Sequence, residues 1–543
     1  MSVAPAEKPM TRGTILIRAD ASLKVGTGHV MRCLALAQAW RNAGGSAAFA
    51  MAESTPAILA RLAAEGFQVC PVQATAATKE DADRTAKLAV GHAAEWVVVD
   101  GYKFGAAYQD LLKSYGRRLL CIDDIGGSES YPADLVLNQN LNPDEDWYRN
   151  RQASTRLLLG PRYALLRREF VTWPGGKRDV AALANKVLIT MGGSDPDNVT
   201  LDVLEALLAV MVPNLEAVIV VGGSNPHFDS IAHAAKSLPG RIRVQQDAAN
   251  MPELMAWADI AVSAAGSTCW EMCRLGLPAI VLDIAPNQSL LARELERAGC
   301  ALHIPQVCVP HTGIREAQGG VESIREKIEL LMHSSQLRAD ISQRSAGLVD
   351  GNGAARVVAA MRAQAVTMRR AQSSDCRILW EWANETAVRQ ASFDSSPITW
   401  EQHSRWFAQQ VSDAHSTFLI FEYDQAAPVG TARFRATSDA DLEISVTIAP
   451  EFRGQGLAPG LLDRAAESAF ERGLIERIHA FIRAENRVSV KSFENAGFFL
   501  VGATQVRGSD ALHYVREREA SATELGEVVE KNALIAGCIG MTP

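Results

Sequence analysis

The sequence predicts an α/β protein in which two similar strand-and-helix units are followed by a third unit of different character. In the first two units, short apolar runs alternate with helical stretches, which is typical of parallel, doubly wound sheets. Near residue 363 this alternation ends, and the next part contains a strand that enters a glycine-rich loop and a helix. At 543 residues and 48% apolar composition, the chain is long enough for about three or four complete cores.

The first unit, predicted over residues 12–175, begins with alternating strands and helices. The strands are predicted at residues 14–17, 46–51, 96–100 and 119–124, and two helices end near residues 42 and 64. Polar residues at the strand ends of such a sheet gather along the edge where ligands bind. Four polar residues are therefore expected to rim one crevice: Asp100, Tyr102, Asp123 and Asn138. Helix capping or turn formation is the alternative role for each of them.

His29 is the strongest candidate for a catalytic residue. It lies between a strand and a helix, and glycines at positions 26 and 28 allow positive φ and close approach of a ligand to the backbone. The helix that begins near Val30 directs unpaired N–H groups and its positive dipole end towards any bound anion. A neutral imidazole in this place can take a proton from water. The alternative is a structural histidine that caps the helix or is held in one tautomer.

The second unit, predicted over residues 176–362, has three strands that each run into a glycine turn. The strands are predicted at residues 187–191, 217–221 and 260–263. Three such turns suit a ligand rich in phosphate, because backbone N–H groups and hydroxyls at a turn bind phosphate oxygens. The expected donors are Gly193, Ser194, Gly266, Ser267 and Thr268. Glu271, one helical turn further along, is placed to reach a ribose hydroxyl.

Several short segments of these two units form a specific pattern. They are Arg18-Ala19-Asp20-Ala21-Ser22, Gly26-x-Gly28-His29-Val30-Met31-Arg32-Cys33-Leu34, Ala265–Glu271, Leu275-Gly276-Leu277-Pro278, Asn287-Gln288 and Asp350-Gly351-x-Gly353-Ala354. The pattern closely resembles the nucleotide-sugar hydrolases of pseudaminic acid biosynthesis, which cleave UDP-2,4-diacetamido-2,4,6-trideoxy-β-L-altropyranose. It resembles more loosely the lipid-linked N-acetylglucosaminyl transferase of peptidoglycan synthesis. The resemblance implies a GT-B-like pair of Rossmann-like domains, with UDP held by the second and with Asn287 and Gln288 in the substrate site.

This resemblance implies displacement at an anomeric carbon, with UDP as the leaving group. His29 would act as general base on water, a role worth about 10²–10⁴-fold in rate. Backbone donors near Ser194, Gly266 and Ser267 would stabilise the charge that develops on the diphosphate. Arg32 either faces the diphosphate or a substrate oxygen, or it is a surface charge of the helix.

The same sequence gives no sign of a metal site in these two units. No Asp-x-Asp motif stands at a strand end, and the adjacent Asp123 and Asp124 would point to opposite faces of a strand. We therefore expect activity without a metal, and full activity in excess EDTA. Two other functions remain open for this part of the chain: a glycosyltransferase that passes the sugar to an acceptor, and a sugar-nucleotide sensor without catalysis.

The third unit, predicted over residues 366–517, carries its signature in the loop after the strand at residues 442–448. The successive N–H groups of this loop and the following helix end are suited to a pyrophosphate, and Arg453 supplies positive charge. The loop is similar to the acyl-CoA signature of the GNAT N-acetyltransferases, and residues 486–498 resemble their later segment. The resemblance implies an α+β fold and acetyl-CoA as cosubstrate, bound by Ile448, Arg453, Gly454, Gln455, Gly456, Leu457, Ala458 and Asn486.

The sequence leaves the catalytic groups of this third unit open. Many GNAT enzymes use a tyrosine hydroxyl to protonate the leaving thiolate, and Phe493 stands at that position here. Tyr514 or a water is the alternative acid, and Glu443 on the motif strand can act through water as base on an ammonium substrate. A group of aromatic residues either shapes an acceptor pocket or packs in the core: Trp380, Trp382, Phe393, Trp400 and Trp406.

The two resemblances together suggest consecutive steps on one chain. In the pathway that the first resemblance implies, a GNAT enzyme acetylates the 4-amino group of UDP-4-amino-4,6-dideoxy-2-acetamido-β-L-altrose, which gives the compound that the hydrolase cleaves. Fusion would raise the local concentration of this intermediate. An acetyltransferase for another amine, including a protein or peptide amine, remains the alternative.

Composition and charge limit the compartment and the partners. The net charge of −8 offers no basic excess for nucleic acid. No stretch approaches the roughly 20 apolar residues that cross a bilayer, and residues 1–12 lack the apolar core of a signal peptide. Nine scattered cysteines fit reduced thiols, so we expect a cytoplasmic protein that binds a UDP-sugar and acetyl-CoA. A short amphipathic helix is expected in the tail, residues 518–543, and the oligomeric state is left open.

Overall fold

The structure is a computed structural model that describes residues 13–174, 178–237, 241–305, 317–413, 416–423, 427–454, 456–471 and 474–518. The chain divides into two compact units, residues 1–355 and 356–543. Gln455 lies outside the described residues, and so does the predicted C-terminal tail apart from Arg518. None of the helices in the described ranges is long and apolar enough to cross a membrane.

The first sheet of unit 1 has seven parallel strands in the order β3-β2-β1-β4-β5-β6-β7. The strands are β1 (Thr14–Ala19), β2 (Ser46–Met51), β3 (Gln68–Pro71), β4 (Ala94–Asp100), β5 (Arg118–Ile122), β6 (Leu135–Asn138) and β7 (Arg156–Leu159). The helices are α1 (Gly28–Asn42), α2 (Pro56–Ala64), α3 (Lys79–Gly91), α4 (Ala106–Ser114) and α5 (Arg168–Val171). The apolar residues of β1 are completely buried, as expected for a strand at the centre of a parallel sheet.

The second sheet of unit 1 has six parallel strands in the order β10-β9-β8-β11-β12-β13. The strands are β8 (Lys186–Thr190), β9 (Glu216–Val221), β10 (Ile242–Gln246), β11 (Ile260–Ala264), β12 (Ala279–Leu282) and β13 (Leu302–Ile304). The helices are α6 (Val199–Leu208), α7 (Phe228–Ala234), α8 (Met251–Trp257), α9 (Thr268–Arg274), α10 (Ser289–Arg297), α11 (Ala317–His333), α12 (Ser335–Leu348) and α13 (Gly353–Ala363). The boundary between the two units falls inside α13.

Unit 2 has a seven-stranded sheet in the order β14-β15-β16-β17-β18-β20-β19. The strands are β14 (Val366–Arg370), β15 (Ser416–Tyr423), β16 (Ala427–Ala436), β17 (Asp441–Ile448), β18 (Arg477–Arg483), β19 (Phe499–Val506) and β20 (Ser509–Glu517). The helices are α14 (Cys376–Asn384), α15 (Thr386–Ala391), α16 (Trp400–Ser412), α17 (Leu457–Phe470) and α18 (Arg487–Asn495). Neighbouring strands are antiparallel except β17 and β18, which are parallel.

These elements confirm the fold class that the sequence predicts. Strands are present at each predicted strand position in the first two sheets, with ends that differ by a few residues. Both sheets of unit 1 are parallel because the connections between neighbouring strands, most of which contain a helix, return the chain to the same edge. The residues after the carboxyl ends of β1, β4 and β5 in the first sheet, and of β8 and β11 in the second, form the candidate site of unit 1.

Candidate active sites

His29 lies in the first turn of α1, which begins at Gly28, slightly earlier than predicted. The preceding turn requires glycine at position 26, where φ is +77° and the N–H donates to the carbonyl of Ser22 at 2.8 Å. Thr27 is the N-cap residue but its side chain makes no capping bond. The His29 side chain is only 7% exposed, so its hydrogen bonds are set by the protein.

Asp100, the last residue of β4, holds the imidazole of His29 by a hydrogen bond. The Nδ1 of His29 lies 2.7 Å from Oδ1 of Asp100, whose carboxylate is completely buried. Because a carboxylate can only accept, we assign the ring proton to Nδ1, which leaves the lone pair of Nε2 available as a base. The side chain of Asp100 is covered by His29 and Arg32, and binding of substrate by Asp100 stays a prediction.

Arg32 joins this pair to a second carboxylate. Its Nε and Nη2 each donate to Asp100 at 2.7 Å, and its Nη1 donates to both oxygens of Asp124 at 2.8 and 2.9 Å. A helical spacing of three residues places Arg32 beside His29 on one face of α1. Arg32 is buried, so it is not a surface charge, and all three of its nitrogens are engaged within the cluster. Direct binding of substrate by Arg32 stays a prediction.

The charges of this cluster support one another. Burial alone would raise the pKa of Asp100, but Arg32 and His29 hold it well below its usual range. Burial would likewise lower the pKa of Arg32, and Asp100 and Asp124 raise it well above its usual value. Sequence reasoning considered Asp124 only as half of a failed metal motif. Its position just after β5, next to β4, was the signal that could have placed it near Asp100.

Tyr102 covers the imidazole from the side. The rings of Tyr102 and His29 meet edge to face, with centroids 4.9 Å apart. The Tyr102 hydroxyl donates to Asp124 at 3.1 Å and accepts from the side-chain amide of Asn287 at 2.8 Å. Burial, followed by the charge of Asp124, raises the pKa of Tyr102, which keeps the hydroxyl protonated. Tyr102 of the first half of unit 1 and Asn287 of the second half, which are both predicted site residues, therefore contact each other next to His29.

The predicted glycine turns of the two halves also converge at this place. A Cβ built on Gly28 would lie 3.7 Å from Oγ of Ser267, and one built on Gly26 would lie 4.0 Å from Oγ of Ser194. At Gly193 a Cβ would lie 2.1 Å from Oγ1 of Thr27, so no larger residue fits there. The hydroxyls of Ser194 and Ser267 thus lie close to the backbone turn that carries His29.

The turn after β11 offers fewer backbone donors than expected. The N–H of Gly266 already donates to the carbonyl of Ala264 at 2.9 Å, and donation from Gly266 to a ligand stays a prediction. A Cβ on Gly266 would meet nothing within 4 Å, which leaves open space above this turn. Donors at this turn are therefore expected from Ser267 and Thr268, at the start of α9.

Four other predicted residues have partners within the protein. Asp123 accepts from the hydroxyl of Tyr131 and from backbone N–H groups of its own loop, and buried Asn138 donates to the hydroxyl of Tyr148 at 2.8 Å. Their alternative role, the formation of turns, is the one observed. Glu271 pairs with Arg167 at 2.8 Å, and burial raises its pKa although Arg167 opposes the shift. Gln288 accepts from the N–H of Ile284 at 3.1 Å. Binding of a ligand by Glu271 and Gln288 stays a prediction.

In unit 2 the glycine-rich loop connects β17 to α17. Gly454 and Gly456 have φ of +72° and +73°, a conformation that glycine adopts without strain, and Gly456 is the N-cap residue of α17. The Nε of Arg453 donates to the carbonyl of Ile448 at 2.9 Å, and its guanidinium pairs with Glu385. Leu457 and Ala458 open the helix, so the loop presents the helix end as predicted.

Strands β17 and β18 separate beside this loop. Their parallel pairing covers only residues 441–443 and 477–479, although β17 continues to Ile448 and β18 to Arg483. Glu443 occupies the last paired position, opposite His479, and its carboxylate lies 2.5 Å from a nitrogen of Arg435. The predicted base therefore lies where the two strands diverge.

A cavity of about 460 Å³ lies against the same face of β17, between the sheet and helices α14–α16. Trp382 and Trp406 line it, so these two of the predicted aromatic residues shape a pocket. Trp380 and Trp400 instead pack edge to face against each other, with centroids 5.6 Å apart. His403 and Arg433 also line the cavity, and no pattern in the sequence indicated either of them.

The two remaining predicted residues of unit 2 are engaged elsewhere. Asn486 is the N-cap residue of α18 and accepts from the N–H of Ser489 at 3.1 Å. Tyr514 is 2% exposed and donates to Glu494 at 2.9 Å. Burial and this hydrogen bond raise the pKa of Tyr514 to about 12. Tyr514 does not line the cavity, and a role as general acid stays a prediction.

Two family models match parts of the chain. Residues 365–499 match the acetyltransferase (GNAT) domain, and residues 187–344 match the glycosyltransferase family 28 C-terminal domain. Among the described residues, no group of three or more His, Cys, Asp or Glu side chains could hold a metal ion.

Individual relatives match either most of the chain or one part of it. The chain is 23% identical over 500 residues to an uncharacterized protein of Methanocaldococcus jannaschii, which covers 89% of this chain and 96% of that protein. It is 24% identical over 289 residues to the UDP-2,4-diacetamido-2,4,6-trideoxy-beta-L-altropyranose hydrolase of Campylobacter jejuni, over 52% of this chain and 97% of that protein. A solved spermidine N-acetyltransferase from Vibrio cholerae, in complex with CoA and spermine, is 20% identical with a TM-score of 0.26, over 28% of this chain and 95% of that one.

The two family models and the curated relative from Campylobacter jejuni support a nucleotide-sugar enzyme that is fused to an acetyltransferase. The GT-B-like pair of Rossmann-like domains and the α+β GNAT domain are both present in the chain.

Proposed function

We propose that residues 12–362 hydrolyse UDP-2,4-diacetamido-2,4,6-trideoxy-β-L-altropyranose to UDP and the free sugar. We also propose that residues 366–517 form this compound by acetylating the 4-amino precursor with acetyl-CoA. The observation that carries the first proposal is the buried Asp100–His29 pair, which lies where the glycine turns of both halves meet. The similarity to the hydrolase of Campylobacter jejuni supports the choice of sugar.

In the hydrolase, Asp100 holds the proton on Nδ1 of His29, and Nε2 takes a proton from water. The water oxygen attacks the anomeric carbon as the bond from that carbon to the diphosphate oxygen breaks. The electron pair of that bond leaves with UDP, and donors near Ser194, Ser267 and Thr268 stabilise the resulting charge. Arg32 and Asp124 keep Asp100 and Tyr102 in place, so the base is oriented before substrate arrives.

In the acetyltransferase, the loop at residues 453–458 would bind the pyrophosphate of acetyl-CoA. The space between the diverging strands β17 and β18 would receive the arm that carries the thioester. Glu443, acting through water, removes a proton from the acceptor ammonium, and the free amine then attacks the acetyl carbonyl. The carbon–sulfur bond breaks, the nitrogen gives its second proton to water, and the thiolate takes a proton from water, because the Tyr514 hydroxyl is buried against Glu494.

The first proposal is tested by UDP release from the diacetylated sugar nucleotide without acetyl-CoA. His29→Ala should lower the rate by about 10²–10⁴-fold because the base is removed, while UDP still binds. His333→Ala, at an exposed histidine of α11, is the matched control and should react like wild type. A rate that His29→Ala leaves unchanged would refute the proposed base.

A glycosyltransferase remains the second candidate, because residues 187–344 match a glycosyltransferase family 28 domain. Wild type that binds UDP but releases none from the sugar nucleotide would favour a transferase without its acceptor, or another sugar isomer. We further propose that the hydrolysis needs no metal, because Arg32 already occupies the carboxylates of Asp100 and Asp124. Full activity in excess EDTA is the required result.

The acetylation is tested by CoA release from acetyl-CoA and the 4-amino sugar nucleotide. Glu443→Gln should slow CoA release because the proton acceptor is lost, and it should leave UDP release from the diacetylated compound unchanged. Asp510→Asn, at an exposed acid of β20, is the control. Absence of CoA release by wild type would remove the sugar amine as the acceptor and leave a protein or peptide amine.

A further inference from the structure

The cavity of unit 2 is lined by two kinds of element. Helices α14, α15 and α16 contribute mostly apolar side chains, and strands β16 and β17 contribute Thr431, Arg433, Ser445 and Thr447. Glu443, Ser445 and Thr447 are alternate residues of β17. Ser445 and Thr447 therefore lie on the same face of the strand as Glu443, the predicted base. The cavity thus opens along the strand face where acetyl transfer is proposed.

His403 is a polar residue of this wall, and one of its ring nitrogens lacks a hydrogen-bond partner. It is 3% exposed, and its ring bonds to the backbone of Cys376, yet its Nε2 is buried with no hydrogen-bond partner. A buried nitrogen without a hydrogen-bond partner destabilises the protein. Burial lowers the pKa of His403, so the ring is neutral near pH 7. Since the Cys376 carbonyl accepts from one ring nitrogen, the other can accept a hydrogen bond from a ligand.

Arg433 is the second polar residue of the cavity wall with which a ligand can pair. Its guanidinium lies 5.2 Å from the centre of the Trp406 ring, and burial lowers its pKa. None of the described residues that line the cavity is Asp or Glu. The nearby Glu443 is already paired with Arg435. The positive charge of Arg433 is therefore only partly compensated, which is costly for a half-buried cation.

Arg389, the other arginine that lines the cavity, differs from Arg433 in its hydrogen bonds. Arg389 donates to the backbone carbonyls of Ala383, Asp394 and Ser396 and to the hydroxyl of Ser392, so it holds the loop after α15. Its hydrogen bonds are used within the protein. Arg433 and His403, in contrast, are polar side chains of the cavity that a ligand can still pair with.

We propose that this cavity binds the acetyl acceptor and that the acceptor carries an anionic group, which pairs with Arg433, and a hydrogen-bond donor for Nε2 of His403. This inference rests on the proposed acetyltransferase and adds the chemical class of its acceptor. A polycationic amine is excluded, because it would place further positive charge beside Arg433 with no acid in the cavity wall.

The test measures CoA release by the full chain with acetyl-CoA and three amines: the 4-amino sugar nucleotide, glucosamine 6-phosphate and spermidine. Wild type should acetylate at least one of the two phosphate-bearing amines and should use spermidine poorly. Arg433→Gln should raise KM for the phosphate-bearing amine by about 10- to 100-fold, because a hydrogen bond to a charged group is lost. KM for acetyl-CoA should stay within about twofold of wild type.

Two comparisons separate binding from structural damage. Arg433→Lys keeps the charge and should recover part of the lost affinity, whereas Arg405→Gln, at an exposed residue of α16, should have no effect. His403→Phe should raise KM for the acceptor, and His403→Gln should raise it less.

The outcomes are distinguishable from those of the proposed function. If glucosamine 6-phosphate reacts in an Arg433-dependent way but the sugar nucleotide does not, the proposed substrate fails and this inference stands. If the sugar nucleotide reacts equally well in wild type, Arg433→Gln and His403→Phe, the function stands and this inference is overturned. Preference of wild type for spermidine, or failure of both phosphate-bearing amines to react, also overturns it.

Discussion

The His29 cluster of unit 1 and the cavity of unit 2 differ in how completely their buried polar groups are paired within the protein. In the cluster, Arg32, Asp100 and Asp124 satisfy one another and hold the imidazole, so that only Nε2 is left for chemistry. In the cavity, Nε2 of His403 has no hydrogen-bond partner, and the charge of Arg433 is only partly compensated because the nearby Glu443 is paired with Arg435. The first arrangement is complete before a ligand binds, and the second needs a ligand to complete it.

This difference matches two separate tasks. A general base must already be oriented when substrate arrives, because movement during the reaction would cost rate. A recognition site gains selectivity when its polar groups are satisfied by the correct ligand alone, because a wrong ligand leaves them unpaired. We therefore interpret the cluster as catalytic machinery and the cavity as a specificity site.

The largest expected effect comes from breaking the cluster at Asp100. Asp100→Asn should lower the rate of UDP release by about 10²–10⁴-fold, because the amide favours the wrong tautomer of His29 and leaves Arg32 partly unpaired. Steady-state UDP release measures this loss, with UDP binding as the check on folding. Asp110→Asn, at an exposed residue of α4, is the control. A loss of less than about fivefold would contradict the proposed role of Asp100.

A smaller effect distinguishes the two regions by stability. Asp100→Asn should reduce the free energy of unfolding of unit 1 by about 3–5 kcal/mol, because it removes one partner of a buried ion pair. His403→Phe should change the stability of unit 2 by less than about 1 kcal/mol, because removal of the unpartnered Nε2 offsets the lost hydrogen bond between the other ring nitrogen and the backbone of Cys376. Denaturant unfolding, followed separately for the two units, measures both changes. Equal losses at the two positions would break the comparison.

The smallest effect concerns acid. Because Arg32 and His29 hold the pKa of Asp100 below its value of about 3.9 in unfolded chains, the unfolded state binds more protons at this site. The contribution of Asp100 to stability is therefore complete above about pH 5 and is lost as the pH falls further. In the Asp100→Asn variant, the free energy of unfolding should fall less steeply below pH 5. An unchanged slope would show that the pair does not shift this pKa.

Local sequence patterns predicted much of the first site. Gly26 sets the turn before α1 with a positive φ, whereas Gly28 is the first residue of the helix, and this turn presents His29 in the structure as expected. Polar residues at strand ends were also a sound guide, although they did not separate Asp100, which supports the base, from Asp123 and Asn138, which form turns. Capping and turn bonds depend on neighbours that the pattern does not identify.

The second site was predictable only in its cofactor loop. The strand, the glycine-rich loop and the helix occur in order, so residues 448–458 could be placed from their pattern alone. The acceptor cavity could not be predicted in the same way. His403 lies on α16 and Arg433 on β16, and nothing in the intervening residues indicates that both line one wall.

By itself, the sequence determined the order of strands and helices in the first two sheets, the parallel character of these sheets, and the turn that carries His29, because each depends on residues close together in the chain. The tertiary structure alone decided which charges meet. His29 and Asp100 are 71 residues apart, and Arg32 and Asp124 are 92 apart. Hydrogen bonds and ion pairs act over a few ångströms, so these partners are selected only when strand pairing brings the carboxyl ends of β4 and β5 beside the first turn of α1.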